Sequence, residues 1–149
     1  MYANIMVPID GSATSEKALA EAARLAKLTG GRLRLLHVVD PLGHITGFEV
    51  PTLYLNDLRP AILKSAEELV AKAKASAERE GVTVETEIAE SGGKRVSELI
   101  VERAQDWGAD LLVLGTHGRR GIERVLVGSD AEQVVRTSPV PVLLVRHSG

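Results

Sequence analysis

The sequence contains no cysteine and few aromatic residues, and these absences exclude several kinds of function. Without cysteine there is no disulfide framework, no thiolate nucleophile and no zinc–thiolate site. One tryptophan, two tyrosines and one phenylalanine leave no aromatic platform on which single-stranded nucleic acid could stack. Eighteen basic and 20 acidic residues give a net charge of −2, so attraction to nucleic acid or to an anionic membrane is not expected.

Long apolar runs are also missing. No run approaches the length of a membrane-spanning helix, and the first residues, MYANIMVPID, lack a basic region ahead of a long apolar core. We therefore expect a cytoplasmic protein without a membrane partner. The length of 149 residues fits one domain, covering residues 1–149, that is large enough to bury a substantial core.

Apolar periodicity predicts strands that alternate with helices. Short apolar runs typical of strands lie at 2–9, 32–39, 82–88, 111–114 and 142–145. Helical spacing of apolar residues is found between Ser12 and Gly30, from Asp57 to Glu80, between Gly93 and Gly108, and from Ala131 to Arg136. Of the strands, 82–88 has one more polar face and 142–145 follows prolines, so both are expected at sheet edges. This alternation predicts an α/β fold with a parallel sheet and helices on both faces.

One long connection shows neither the helical nor the strand period. It runs from Asp40 to about Asn56 and contains two prolines and two glycines. A connection of this length within a compact domain is either a functional lid or the place of a short extra element. The sequence leaves both interpretations open.

The most informative segment, Gly115-Thr116-His117-Gly118, follows the fourth strand. Glycine can take positive φ angles and has no Cβ, so the backbone can approach a ligand closely, and a concave row of N–H groups attracts anions. Nine residues separate Gly118 from Gly128 and Ser129, which open the last helix, and a helix N-terminus offers further N–H donors. The full spacing predicts a phosphate site, whereas Gly-x-x-Gly alone is also typical of a simple turn.

At this spacing the chain resembles the nucleotide-binding universal stress proteins, which carry Gly-x-x-Gly, nine residues, then Gly-Ser or Gly-Thr. The likeness extends over nearly the whole chain. Segments similar to the first, second and last strands of the family are Val7-Pro8-Ile9-Asp10-Gly11-Ser12, Leu36-His37-Val38-Val39-Asp40 and Pro139 to Val145. The resemblance implies a Rossmann-like, adenine nucleotide alpha hydrolase-like fold, a five-stranded parallel sheet in the order 3-2-1-4-5. In that order the first and fourth strands are neighbours, and their carboxyl ends open a ligand crevice.

The resemblance also implies which residues contact the adenosine part of a nucleotide in this crevice. Asp10 would accept hydrogen bonds from the ribose hydroxyls, and its alternative role is that of a turn or helix-capping carboxylate. Residues that match the adenine side of the family site, through side chain or backbone, are Pro8, Ile9 and Val38. Leu114 matches a further position that touches the nucleotide.

On the phosphate side, the residues implied to hold the anion are Gly115, Gly118, Gly128 and Ser129. Nearby side chains that would add positive charge are His117, Arg119, Arg120 and Arg124. A solvated basic face is the alternative for at least one of these arginines.

Asp130 departs from the family, which usually has a small apolar residue at this position. A carboxylate beside a triphosphate would repel it unless the side chain turned to solvent or a cation bridged the two charges. ATP, ADP and AMP therefore all stay open as the ligand, with Mg²⁺ considered only as a companion of a triphosphate.

Two further patterns do not establish additional chemistry. Ser91-Gly92-Gly93-Lys94 lacks the upstream glycine and the following Ser/Thr of a Walker A motif, and we interpret it as a turn and helix cap. The histidines at 37, 44, 117 and 147 lack metal-ligand spacing, so no metal site is expected. His37, within its strand, is interpreted as a core residue with a satisfied hydrogen bond.

The expected function is that of a nucleotide-dependent sensor or regulator in the stress response. A slow ATP hydrolase or phosphotransferase is one alternative, but no nucleophile and base can be assigned, so no catalytic residue is predicted and enzymatic activity stays uncertain. An interaction protein with an empty crevice is the other alternative. A homodimer is expected through Val142–Val145, because an edge strand leaves unpaired backbone groups that a second copy could cover.

Overall fold

The structure, a computed structural model, describes residues 1–40, 58–116 and 129–146. Within them, parallel strands form one sheet in the order β3-β2-β1-β4-β5. The strands are β1 (Asn4–Pro8), β2 (Arg32–Val39), β3 (Thr83–Glu90), β4 (Leu111–Gly115) and β5 (Val142–Val145). The helices are α1 (Ala13–Thr29), α2 (Arg59–Glu78), α3 (Val96–Trp107) and α4 (Ser129–Thr137). The predicted fold class and strand order are confirmed, and β3 and β5 lie at the sheet edges as predicted.

Helices cover both faces of the sheet. In β1, Ile5 and Val7 pack with α1 and α2 on one face, and Met6 packs with α3 and α4 on the other. In a strand buried on both faces, successive side chains all lie in the core, so polar residues are disfavoured. This explains why the sequences of β1 and β4 are nearly continuous apolar runs. None of these four helices is long and apolar enough to span a membrane.

α1 begins and ends at residues that favour a helix boundary. The Oγ of Ser12, the N-cap, accepts a hydrogen bond from the Ser15 N–H at 3.1 Å. Thr14 and Ser15 are buried within the first turn of the helix. At the C-terminal end, Gly30 takes a φ of 74°, a conformation that glycine adopts readily.

The start of α3 differs in part from the prediction for Ser91-Gly92-Gly93-Lys94. The segment does form a turn, in which the Lys94 N–H donates to the Ser91 carbonyl oxygen at 3.0 Å. The helix cap was wrong, since the N-cap is Arg95 and no side chain makes a capping hydrogen bond there. Ser91 instead continues the strand, because its N–H donates to the Val39 carbonyl oxygen at 2.8 Å.

Asp110 ties the start of β4 to the start of β1. Its two carboxylate oxygens accept the backbone N–H groups of Ala3 and Asn4 at 2.9 and 3.0 Å. The Asp110 N–H donates in return to the Asn4 carbonyl oxygen at 2.9 Å. These bonds support the register in which Ile5 lies opposite Leu111, so the carboxyl ends of β1 and β4 emerge side by side.

Candidate functional site

The carboxyl ends of β1 and β4 meet at the point where the chain reverses its winding around the sheet. β1 leads into α1, which packs on one face, and β4 is followed by α4 on the other face. In doubly wound sheets this arrangement opens a crevice between the two strand ends, where ligands bind. Asp10 follows β1 and Gly115 ends β4, so the structure places these two predicted site residues at the carboxyl ends of adjacent strands.

Asp10 lies in the turn between β1 and α1 and is half-buried. Its Oδ1 accepts the Ser12 N–H at 2.9 Å, and its own N–H donates to Ser15 Oγ at 3.1 Å. The role of a turn carboxylate, left open by the sequence, is therefore observed. A carboxylate has about four lone-pair sites, so this role is compatible with accepting further hydrogen bonds from a ligand.

The apolar residues predicted to contact the nucleotide lie at or just beyond the carboxyl ends of β1, β2 and β4. Ile9 and Leu114 are buried, and Leu114 packs in the core formed with α3 and α4. Pro8 and Val38 are half-buried. Because Ile9 and Leu114 are buried, a ligand in the crevice would contact these two residues mainly through their backbone atoms.

His37 links β2 to the turn that follows β1. Its Nδ1 lies 2.7 Å from the Ile9 carbonyl oxygen. Because a carbonyl oxygen only accepts, this hydrogen bond requires the hydrogen on Nδ1. The predicted satisfied hydrogen bond is confirmed, whereas the predicted core position was wrong, since the residue is only half-buried.

Gly115 ends β4 against the first turn of α1. Its φ lies outside the left-handed region, so it does not use the positive φ that glycine permits. A Cβ at this position would lie 2.7 Å from Thr14 Cγ2 and 3.0 Å from the Thr14 carbonyl carbon and oxygen. Glycine is required here for close packing, a reason that the sequence pattern alone did not reveal.

Of the residues predicted on the phosphate side, the structure describes Gly115, Ser129 and Asp130. Ser129 and Asp130 are exposed in the first turn of α4, where helix N–H groups have no partner within the helix. A helix N-terminus favours anions, so Asp130 is stabilised there and would compete with an incoming phosphate. The predicted residues that lie outside the described residues are His117, Gly118, Arg119, Arg120, Arg124 and Gly128. The predicted lid or extra element at 40–56 also lies outside them, apart from the exposed Asp40.

An ion pair joins the start of α2 to the carboxyl end of β3. The Arg59 Nε and Nη2 donate to the two carboxylate oxygens of Glu90 at 2.9 and 2.7 Å. The hydrogen bond from Arg59 is the largest cause that lowers the pKa of Glu90 below its ordinary value of 4.5. The charge of Arg59 adds to this effect, and partial desolvation opposes it.

The described part of the site combines three kinds of group. It presents a carboxylate acceptor at Asp10, N–H donors and a hydroxyl at the start of α4, and apolar strand ends between them. This combination suits a ligand with hydroxyl groups at one end and an anion at the other. In the described ranges no group of three or more His, Asp or Glu side chains could hold a metal ion.

Comparison with known proteins gives a consistent result. The sequence model of the universal stress protein family matches residues 1–146. Universal stress protein MJ0531 of Methanocaldococcus jannaschii is 37% identical over 147 residues, which are 98% of this chain and 83% of that protein. The solved structure of MJ0577, from the same organism, superposes with a TM-score of 0.84 at 29% identity and covers 100% of this chain and 99% of its own.

Two further structures of this fold contain adenine nucleotides. A universal stress protein in complex with cAMP has a TM-score of 0.72 at 24% identity, covering 99% of this chain and 98% of its own. The Archaeoglobus fulgidus universal stress protein in complex with dAMP has a TM-score of 0.72 at 23% identity, covering 97% of this chain and 98% of its own. At these identities the likeness to this chain is one of fold.

Proposed function

The chain belongs to the universal stress protein family, and on this premise we propose that it binds one adenine nucleotide between the carboxyl ends of β1 and β4. In this proposal residues 1–149 form a single domain, a cytoplasmic stress-response regulator whose shape or partners change with nucleotide occupancy. The observation that carries the proposal is that Asp10 and Gly115 lie at the carboxyl ends of two adjacent strands, β1 and β4, where the winding of the sheet reverses.

The adenosine part of the ligand would lie over the ends of β1 and β2. Pro8 and Val38 are half-buried there and would form an apolar wall for the base, and the backbone at Ile9 and Leu114 would supply further contacts. Asp10 would accept hydrogen bonds from the ribose hydroxyls. The cAMP and dAMP complexes of two proteins with this fold support an adenine nucleotide as the ligand class.

The phosphates would lie between the end of β4 and the start of α4. The spacing of Gly115, Gly118, Gly128 and Ser129 supports this placement. Ser129 begins α4 and is exposed, so its Oγ and the N–H groups of the first turn can reach an anion. The basic side chains at 117, 119, 120 and 124 would add charge beside the phosphates.

Asp130 bears on the number of phosphates. Its carboxylate is exposed in the first turn of α4, one residue after Ser129. The negative charge of Asp130 would lie where a triphosphate chain would end and would repel the terminal phosphate. This repulsion favours AMP or ADP over ATP. ATP would then need Mg²⁺ to offset the repulsion.

A homodimer would form through the exposed edge of β5. This strand ends the sheet, so one of its sides has no neighbour within the described sheet. Leu143 in its middle is 40% exposed, so pairing at this edge would remove apolar surface from water. Antiparallel pairing with β5 of a second copy would cover both the edge and this side chain.

The experiment that tests the nucleotide site compares two glycine variants with the wild type. Protein purified without added nucleotide is denatured, and any released small molecule is identified by chromatography and mass. Gly118→Asp would place a side chain and a negative charge among the phosphates and abolish occupancy. Unchanged nucleotide occupancy in a folded Gly118→Asp variant would overturn the placement of the phosphates.

Gly81→Asp is the matched control for this experiment. Gly81 lies before β3, and a Cβ added there would have no other atom within 4 Å. Its φ of 83° means that the substitution costs some stability. Nucleotide occupancy of the folded control should nevertheless equal that of the wild type, because Gly81 lies before the amino end of its strand, opposite the crevice.

A further inference from the structure

The peptide group between Ile9 and Asp10 is held on both sides by side chains. The regular pairing of β1 with β2 ends at Pro8, after which the Ile9 N–H makes one more bond to the Leu36 carbonyl oxygen at 2.8 Å. The carbonyl oxygen of the peptide accepts from His37 Nδ1 at 2.7 Å. Its N–H donates to Ser15 Oγ at 3.1 Å.

Holding both polar atoms of this peptide constrains the orientation of Asp10. A peptide group is planar, so fixing its oxygen and its N–H fixes the plane from which the Asp10 Cα projects. The side chain is held separately, since its Oδ1 accepts the Ser12 N–H at 2.9 Å. His37, Ser15 and Ser12 therefore each help to fix the direction of the carboxylate.

Among these three residues, His37 is the one whose polar group has no role in the start of α1. Ser12 caps the helix, and Ser15 lies buried in its first turn. His37 comes from the neighbouring strand, next to the fully buried Leu36. An apolar residue would satisfy the packing of a half-buried strand position, so the imidazole is explained by its hydrogen bond to Ile9.

We propose that His37 is a positioning residue for Asp10, which sets the carboxylate for the ribose hydroxyls of the bound nucleotide. It acts through the Ile9–Asp10 peptide and does not itself touch the ligand. This inference rests on the proposed function. According to the inference, His37 affects only the part of the nucleotide affinity that comes from the ribose hydroxyls. Contacts to the base and to the phosphates do not depend on His37.

The test uses two amide variants and two ligands. In His37→Asn the amide nitrogen occupies the position of Nδ1, at the same number of bonds from Cβ, whereas in His37→Gln it lies one atom further out. Each variant and the wild type are titrated with AMP and with 2′,3′-dideoxy-AMP. We expect His37→Gln to weaken AMP binding by roughly three- to twelve-fold, the effect of one lost hydrogen bond. Binding of the dideoxy analogue should change by less than about two-fold, within the uncertainty of such measurements.

His37→Asn should retain AMP affinity close to that of the wild type. Equal losses for AMP and the dideoxy analogue in His37→Gln, or equal defects in the two variants, would overturn the positioning role. Failure of the wild type to bind AMP would instead overturn the proposed function. A measurement without nucleotide is also decisive: the ¹⁵N shifts of the imidazole should show a hydrogen on Nδ1, and an unprotonated Nδ1 would overturn the inference.

Discussion

Gly115 and Thr14 lie so close together that no side chain fits between them. A Cβ on Gly115 would approach Thr14 Cγ2 to 2.7 Å and the Thr14 carbonyl group to 3.0 Å. Gly115 is the last residue of β4, and Thr14 is buried in the first turn of α1. This contact sets the distance between α1 and the end of β4 and so shapes one side of the crevice.

Gly115→Ala should lower the free energy of unfolding by about 1–3 kcal/mol, the usual cost of overpacking a tight interior. Urea denaturation measures the loss. In the Thr14→Ser background the same substitution should cost less, because Cγ2 is removed, although the backbone atoms at 3.0 Å stay in place. An unchanged midpoint for Gly115→Ala would show that α1 is free to move away from the strand.

Asp130→Ala should strengthen ATP binding relative to AMP, because it removes a negative charge near the end of the phosphate chain. We expect a change of roughly two- to ten-fold in the ratio of the two dissociation constants without Mg²⁺. Glu132→Ala is the control, since that carboxylate lies in the same turn but accepts from Arg136 at 2.9 Å. A ratio that moves equally in the two variants would argue against a specific effect of Asp130.

The Glu90 carboxyl should titrate below its ordinary value of 4.5, and Arg59→Gln should raise its pKa toward that value. The pKa of Glu90 is lowered in the folded protein, so the stabilisation is present above 4.5 and is lost as the pH falls through the folded pKa. Both side chains are more than a third exposed, so the loss should stay below about 1 kcal/mol. Carbon-detected NMR titration measures the pKa directly.

Glu102 serves as the internal control for this titration. The pKa of Glu102 is also lowered, chiefly by its hydrogen bond from Lys94, in an ion pair separate from that of Arg59. Arg59→Gln should therefore leave the Glu102 titration unchanged. A Glu90 titration that does not respond to the loss of Arg59 would contradict the assigned cause.

Leu143→Lys should convert the proposed dimer to monomer. A lysine at this exposed position on the edge strand would place like charges together across an antiparallel pair. Sedimentation equilibrium measures the molecular mass in solution. Leu28→Lys is the control, because Leu28 is 85% exposed near the C-terminal end of α1 and is not part of the edge strand. A wild type that sediments as a monomer, or a Leu143→Lys variant that stays dimeric, would contradict this interface.

The positions of the strands could be predicted from the sequence because the apolar patterns that form them are local. Arg32–Val39 and Val142–Val145 are strands over the predicted residues, since each is an apolar run bounded by glycine, proline or a charged residue. The alternation of apolar and polar residues in β3 is also a local pattern, and it correctly predicted an edge strand. The order of the strands came from the family resemblance, because periodicity does not determine which strands are neighbours.

Contacts between distant segments could not be predicted in this way. Nothing near Gly115 in the sequence indicates that Thr14 will pack against it, and nothing near His37 indicates that its ring will bond to the Ile9 carbonyl oxygen. The helix cap predicted from Ser91-Gly92-Gly93-Lys94 was wrong because the segment forms only a turn, and Arg95 is the N-cap of the helix that follows. The nucleotide contacts of all the site residues stay predictions, and the residues from 117 to 128 lie outside the described part of the chain.

The most direct test of nucleotide binding is calorimetric titration of nucleotide-free protein with AMP, ADP and ATP in turn. The arrangement of Asp10, Gly115 and the start of α4 predicts saturable binding of one adenine nucleotide per chain, tighter for AMP or ADP than for ATP without Mg²⁺. Absence of saturable heat with all three nucleotides, with no binding by equilibrium dialysis, would contradict a nucleotide site and favour an interaction protein with an empty crevice.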